Sequence, residues 1–537
     1  MAQQTEYDTI IVGSGFGGSM VAHVLVNAGQ KVLMLERGDW VKRGPHNWEP
    51  DGTVELTPYY TTETPYRVLT KGHKDFEEAD YFSVVSAILF SRQDYSIMGG
   101  YHCVGGPSVF YGGVAMRLRE GDFEPDPEVV EDARAEWPYR YADLEPYYDR
   151  AELILNVAGE SGQDPTEPPR RNGYPQRLNG LSKNARILVE AATALDLRPF
   201  RLPLAINYAS NNGQPTCVEC TTCDTFACSI QAKNDLATRV IPNLLRKGME
   251  LKTNTVVTRL VVENKRIAAV DCFDKTTGQR VQYRAKRFVL SAGAIASPHL
   301  ILASGLQEYN PGGHTIGRYL TRHCNAITFG IFPQVTNREA EFNKQVGVHD
   351  FYFGHPSVSQ PKGKLGGIQQ LQAPPAGLIR KYMPAFPGNL IIKYILPRMI
   401  GLLVIAEDQP RPENHLWLDP SQKDRFGLPQ LVIRHKHSKR DYAARAALVR
   451  QAKKILARAG AKLYYVHYIN TFSHAVGTVR MGTDPENSAL DAYCRFRGLD
   501  NFFVVDGSFM PRSSGVNPSL TISANALRVG EHILEND

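Results

Sequence analysis

The chain has 537 residues, more than one ordinary hydrophobic core holds, so two intimately joined domains with room to bury a large cofactor are expected. Its 61 Lys and Arg against 55 Asp and Glu leave a net charge of only +6, spread without clusters. That balance excludes nucleic acid and anionic membrane surfaces as the expected partners.

The N-terminus, MAQQTEYDTIIVGSG, passes from a short polar lead straight into a strand. It shows none of the basic region, apolar core and cleavage site of a secretory peptide, and predicts a cytoplasmic address. The continuation, DTIIVGSGFGGSMVAHVLVNAGQKVLMLERG, reads as a buried apolar strand, a glycine turn, a helix stopped at Gly29 and a second strand ending at Glu36. Gly13, Gly15 and Gly18 have the G-x-G-x-x-G spacing of dinucleotide binding. The first makes the tight turn, the second lets a pyrophosphate approach the backbone, and the third lets helix and strand pack closely. Glu36 is placed to accept hydrogen bonds from an adenosine ribose hydroxyl.

Further along, GGYHCVGGPSVFYGGVAMRLR (99–119) has the glycine density of a loop passing close to a flat ring system, with Gly105, Gly106 and Ser108 in its middle. The run CVECTTCDTFACSIQAKND carries Cys217, Cys220, Cys223 and Cys228, four of the chain's eight cysteines. By spacing it resembles the ligands of an iron–sulfur cluster or zinc, and the preferred alternative is a structural thiol or disulfide loop over the cofactor. Strands are expected over 255–264 and 266–274, with KTTGQ as the following turn. RFVLSAGAIASPHLILASG (287–305) reads as strand, small-residue turn and helix.

LIIKYILPRMIGLLVI (390–405) is broken by Lys393, Pro397 and Arg398, so it is expected as buried core rather than a membrane span, with a wall of an active site as the second reading. NHLWLDPSQKDRFGLPQLVIRHK (414–436) alternates like half-buried sheet around a polar turn. FSHAVGTVRMG and NFFVVDGSFMP follow, and then SSGVNPSLTI, in which Asn517 and Pro518 precede an apolar-periodic helix. Pro at the first helical position and Asn as its cap make a good helix start.

These segments, in this order, resemble the glucose-methanol-choline family of flavoprotein oxidoreductases, nearest to its sterol oxidase and bacterial sugar dehydrogenase branches. The resemblance implies an α/β fold with a discontinuous Rossmann-type FAD-binding domain (1–160, 215–324 and 466–537) and a second, substrate-binding domain built on an antiparallel sheet (161–214 and 325–465). It implies FAD bound to Gly13, Gly15, Gly18, Glu36, Gly105, Gly106, Ser108, backbone near Val257, Asp506 and Pro518, the last opening a helix whose positive end faces the flavin. Some members tether FAD through a histidine where this chain has Phe110, so FAD is expected to be non-covalent, with His102 and Cys103 as the reactive side chains nearby.

The resemblance also implies that His474 is the general base that takes the hydroxyl proton as hydride leaves an alcohol carbon. Asn517 is then the hydrogen-bond donor to the same oxygen. A sugar or glycoside is the expected alcohol; a sterol or other bulky apolar alcohol, and a non-redox flavoprotein lyase, are the alternatives. The electron acceptor is oxygen or a redox partner, between which the residues do not choose. No transmembrane segment is expected.

Overall fold

A computed structural model describes residues 7–44, 60–69, 95–131, 133–209, 213–337, 341–342, 344–373 and 392–536. Three sheets organise them, with strands numbered in chain order. The first has the order β6-β2-β1-β9-β8-β7, with β17 against β9. Its members are β1 (Tyr7–Val12), β2 (Val32–Leu35), β6 (Glu250–Lys252), β7 (Thr255–Glu263), β8 (Arg266–Asp274), β9 (Arg280–Leu290) and β17 (Phe502–Val504). The apolar runs of β1 and β2 are buried on both faces, as parallel strands sandwiched between layers require. Helix α1 (Phe16–Asn27) connects them and stops where Gly29 takes φ +83°. Asn264 and Lys265, both with positive φ, turn β7 back into β8 in a two-residue hairpin loop.

The second sheet is antiparallel throughout, in the order β16-β10-β13-β12-β11-β5. It comprises β5 (Phe200–Arg201), β10 (Ala326–Ile331), β11 (Val346–Val348), β12 (Gly366–Leu371), β13 (Met399–Ala406) and β16 (Leu463–Tyr468). The C-terminal half of the expected core segment becomes β13, buried along its length, whereas Lys393 and Tyr394 are exposed and residues 395–398 half-buried, a correction to the expectation of buried core; Leu390 and Ile391 lie outside the described residues. Cross-strand register assigns the faces. Ala326, Ile368, Leu402 and Val404 pack with Leu448, Ala452 and Ile455 of the long C-terminal-half helix Lys439–Arg458. Gln369, Leu403 and Ile327, one residue out of phase and aligned across the strands, occupy the other face.

The third sheet, β14-β15-β3-β4, joins β3 (Tyr60–Leu69) and β4 (Tyr95–Tyr101) to the hairpin β14 (His415–Lys423) and β15 (Pro429–Arg434). Here β15 runs parallel to β3, and Tyr66, Val68, Leu416, Leu431 and Ile433 form a small core with Leu320. Each fully buried side chain of that size contributes about 1.5–3 kcal/mol.

The chain's last helix, α2 (Ser519–Glu535), lies against α1, where Gly530 leaves room for Val24; a Cβ there would come within 2.9 Å of it. Its other flank is pinned by Tyr139, whose hydroxyl donates to Asn525 Oδ1 across 3.1 Å, and by the 2.7 Å contact of Tyr148 with Thr521. No helix among the described residues is long and apolar enough to cross a membrane.

Candidate active site

The glycine turn after β1 builds a cradle. Gly13 takes φ +99°, and a Cβ on it would stand 2.3 Å from the Ser291 carbonyl oxygen. A Cβ on Gly18 would stand 2.1 Å from the Gly13 carbonyl oxygen, so both positions are closed to any side chain. Gly15 differs: nothing lies within 4 Å of where its Cβ would be, and the space in front of it is open at the start of α1. That is the position where a pyrophosphate needs bare backbone, so the residues present fit a dinucleotide.

The second glycine loop closes on the first. Gly105 donates its N–H to Ser14 Oγ at 2.9 Å, and a Cβ on Gly106 would lie 3.6 Å from Gly15 Cα. Ser108 is fully buried, donates to the Gly105 carbonyl at 2.7 Å and accepts from the Leu236 N–H, which holds the loop's shape. Glu36 accepts from the Ser14 N–H at 3.1 Å, the Ser14 hydroxyl at 2.6 Å and the Gly38 N–H at 2.9 Å. A carboxylate has about four acceptor sites, so capacity for a ribose hydroxyl is left. β7 enters beside it, with the Thr255 N–H on the Glu36 carbonyl at 2.9 Å and Val257 two residues on. Asp506 is buried, accepts from Ser297 Oγ at 2.5 Å and caps its own turn through the Ser508 N–H at 2.9 Å. The neighbouring Val505 carbonyl would lie 2.2 Å from a Cβ on Gly17, which puts this turn at the foot of α1.

Beside the turn that follows Asp506, where the Gly477 N–H donates to the Gly507 carbonyl at 3.2 Å, a short antiparallel bridge sets the candidate catalytic geometry. Thr321 and Val476 exchange backbone hydrogen bonds at 3.1 and 2.9 Å. Two residues out from that pair, in opposite chain directions, stand His323 and His474, which the antiparallel register brings opposite each other. Their Nδ1 atoms are 3.0 Å apart and their rings meet edge to face, with centroids 5.1 Å apart. Asn517 Nδ2 lies 3.5 Å from His474 Nε2, and Asn517 Oδ1 accepts from Gln369 Nε2 at 2.9 Å. At 3.5 Å the Asn517–His474 contact is too long for a strong hydrogen bond, and both groups are half-buried, so each retains capacity for a third partner.

Burial, with the neighbouring His323 and Lys344 adding to it, pushes the His474 imidazole down to about 3. The ring is therefore neutral near pH 7, with a lone pair to offer. Lys344 is itself held by both oxygens of Asp224 at 2.8 Å, and this ion pair sits where a Cβ on Gly112 would be, 2.0 Å from Asp224 Oδ1.

Sequence reasoning expected Asn517 to cap the last helix. The structure corrects this: α2 starts at Ser519 with Pro518 as its flanking residue, and no side chain caps it. The Asn517 amide is turned to Gln369 and His474 instead. His323, Gln369 and Asp408 escaped the sequence reading altogether. Nothing in RYLTRHCNA marks His323 among the chain's 15 histidines, and GGIQQL reads simply as a strand; only the register between distant segments brings them to Asn517 and His474.

Asp408, two residues beyond β13, ties this region together. Its Oδ1 accepts from the His323 N–H at 3.0 Å and Ser513 Oγ at 2.7 Å, and its Oδ2 from the Arg322 N–H at 2.9 Å. Burial alone would raise its pKa; His435, His437 and His323 around it more than offset this and hold it below the usual carboxylate range. Asp408, His435 and His437 bring potential metal-ligand atoms within 4.8 Å of one another. Arg322 Nε, however, lies 3.3 Å from His435 Nδ1, and the donors on Asp408 already account for its placement.

Phe110 is buried with its ring near Tyr101, so no nucleophile stands at that position. His102 and Cys103 are buried beside Gly38; burial lowers the first to about 2 and raises the second. The four cysteines 217, 220, 223 and 228 are free thiols, part-buried, and Lys233 holds their loop by donating to the carbonyls of Tyr111, Cys223 and Phe226 at 2.8–2.9 Å.

A dinucleotide cradle after the parallel strands β1 and β2, with a histidine and an amide brought within 3.5 Å of each other, fits a flavin-dependent alcohol oxidoreductase. The GMC oxidoreductase description matches residues 7–325 with its N-terminal part and 410–526 with its C-terminal part, and the chain belongs to that family. It is 30% identical over 545 residues to paromamine 6'-oxidase of Streptomyces fradiae, covering 97% of this chain and 90% of that one. It is 29% identical over 543 residues to 6'''-hydroxyparomomycin C oxidase of Streptomyces lividus, covering 98% and 91%. The structure superposes on pyridoxine 4-oxidase from Mesorbium loti with a TM-score of 0.65 at 18% identity, covering 99% of both chains, which supports the fold.

Proposed function

We propose that this enzyme oxidises a CH–OH group of a sugar or glycoside, with His474 Nε2 accepting the hydroxyl proton and Asn517 Nδ2 donating to the same oxygen. The observation that carries the reading is the 3.5 Å gap between these two atoms, a donor and an acceptor held apart by other partners so that one oxygen can engage both. FAD, when bound, supplies the acceptor for the hydride that leaves the carbinol carbon. His474 is neutral before the reaction and becomes the cation; Asn517 stabilises the charge growing on oxygen without titrating.

A polar substrate is supported by the polar groups around the pair: the Lys344 charge reaches His474, and Gln369 stands under Asn517. The two relatives named for aminoglycosides lend the same support. FAD is held without a covalent bond, in a cofactor unit of 1–160, 215–324 and 466–537 packed with a substrate unit of 161–214 and 325–465.

Anaerobic mixing with paromamine, with a panel of simple glycosides and with cholesterol tests the reading through loss of the flavin's visible absorbance. Bleaching by paromamine or a glycoside is the expected result. Bleaching by cholesterol alone would overturn the substrate class.

A further inference from the structure

His474 and Asn517 are the middle members of a row of polar groups. Gln369 Nε2 is 2.9 Å from Asn517 Oδ1, Asn517 Nδ2 is 3.5 Å from His474 Nε2, His474 Nδ1 is 3.0 Å from His323 Nδ1, and His323 Nε2 is 3.0 Å from the Ser513 carbonyl oxygen. The last contact gives the whole row its direction. A carbonyl can only accept, so His323 Nε2 carries a hydrogen. Burial favours the neutral form of His323, and a neutral imidazole has a single N–H, so His323 Nδ1 is an acceptor. The hydrogen between the two Nδ1 atoms therefore belongs to His474, and the His474 Nε2 lone pair is left facing Asn517. The Asn517 amide must then show NH2 to His474 and oxygen to Gln369.

We propose that His323 is a positioning residue that locks His474 in the tautomer whose Nε2 lone pair meets the substrate hydroxyl. The fold spends conformational energy on this placement. His323 has φ +64°, a left-handed backbone that is unfavourable for a non-glycine residue, and Ser514 beside its carbonyl anchor has φ +58°. Asp408 holds both residues at once: one oxygen accepts from the backbone N–H of His323 and from Ser513 Oγ, so the residue carrying the ring and the residue carrying its carbonyl partner are tied to a common carboxylate. Such an anchor is unneeded if the His323 ring merely fills space.

The inference rests on the reading of His474 as proton acceptor, and its test is independent of turnover. Deuterated, FAD-loaded protein labelled with 15N-histidine is studied at pH 7 without substrate, by long-range proton–nitrogen correlation. The His474 signals are assigned by their loss in His474→Ala. The parent should show His474 protonated on Nδ1. His323→Gln should keep that pattern, because the amide oxygen can accept from His474 while its NH2 donates to Ser513. His323→Leu, which has no acceptor, should shift the proton to Nε2 or distribute it over both nitrogens.

A parent protonated on Nε2 overturns the proposal, and so does a folded Leu variant that retains pure Nδ1–H or a Gln variant that loses it. If His323→Leu does not fold, the parent and the Gln variant still decide. Failure of the base assignment itself would appear elsewhere, as a His474→Ala protein whose flavin is bleached at the parent rate by the same glycoside.

Discussion

Gln369 and Asn517 meet amide to amide across 2.9 Å, and this contact takes the oxygen that a helix cap would otherwise use. Asn517→Ala should slow anaerobic flavin bleaching by about tenfold to a thousandfold, the scale of one lost oxyanion donor. Its stability cost should come from the buried Gln369 N–H left without an acceptor, about 1–3 kcal/mol, rather than from the helix end. A double-mutant cycle with Gln369→Leu in chemical denaturation separates the two sources. A cost of Asn517→Ala that is the same with and without Gln369 would return the residue to a capping role.

His474→Ala should reduce the bleaching rate by roughly a hundredfold or more while FAD stays bound. Stopped-flow measurement on flavin-replete protein checks this. A parent-like rate would remove His474 from the chemistry.

The acid limb of the pH profile carries its own signature. His474 has its pKa lowered to about 3, so the protonated ring, which cannot accept a proton, forms only well below 6.5. The bleaching rate should stay level as pH falls through 6.5 and decline only in stronger acid. Stability should behave differently. His102, His299 and His474 are lowered to about 2, 4 and 3, whereas the unfolded chain takes up protons near 6.5. Protons then favour the unfolded state between those limits, so this contribution is complete above 6.5 and is lost as pH falls towards the folded values. Melting temperature should drop from pH 7 to pH 5 while the bleaching rate does not.

Gly15 and Gly18 make a contrasting pair. A methyl group on Gly18 collides with the Gly13 carbonyl, so Gly18→Ala should destabilise the fold. A methyl group on Gly15 meets no protein atom, so Gly15→Ala should fold normally and lose FAD. Flavin content against melting temperature for the two variants reads this directly. Full flavin occupancy in Gly15→Ala would move the pyrophosphate elsewhere.

Acid precipitation of the purified enzyme should release FAD into the supernatant, given Phe110 where a tethering histidine would be. Yellow colour remaining in the pellet would contradict non-covalent binding.

The cofactor half was legible because its signals are local. G-x-G-x-x-G spacing, the stop at Gly29 and the apolar runs of β1 and β2 are each determined within about thirty residues of chain. Of the polar row, only His474 and Asn517 were legible, through their flanking motifs. His323, Gln369 and Asp408 were not, because their positions follow from strand register between segments far apart, which no short pattern encodes. The misread helix cap has the same origin: an Asn before a Pro satisfies a local rule, and a distant glutamine overrides it.

The distance between partners also dictates the order in which the enzyme can come into being. His323 and His474 are 151 residues apart, and the first sheet receives β17 beside β9 only after residue 504 exists. During translation the glycine turn is made long before the strand that completes its sheet and the segment carrying Asn517. A ribosome-bound chain therefore holds an open-edged sheet until β17 is made. The cradle and Asn517 can act together only once the segments that carry both have been made.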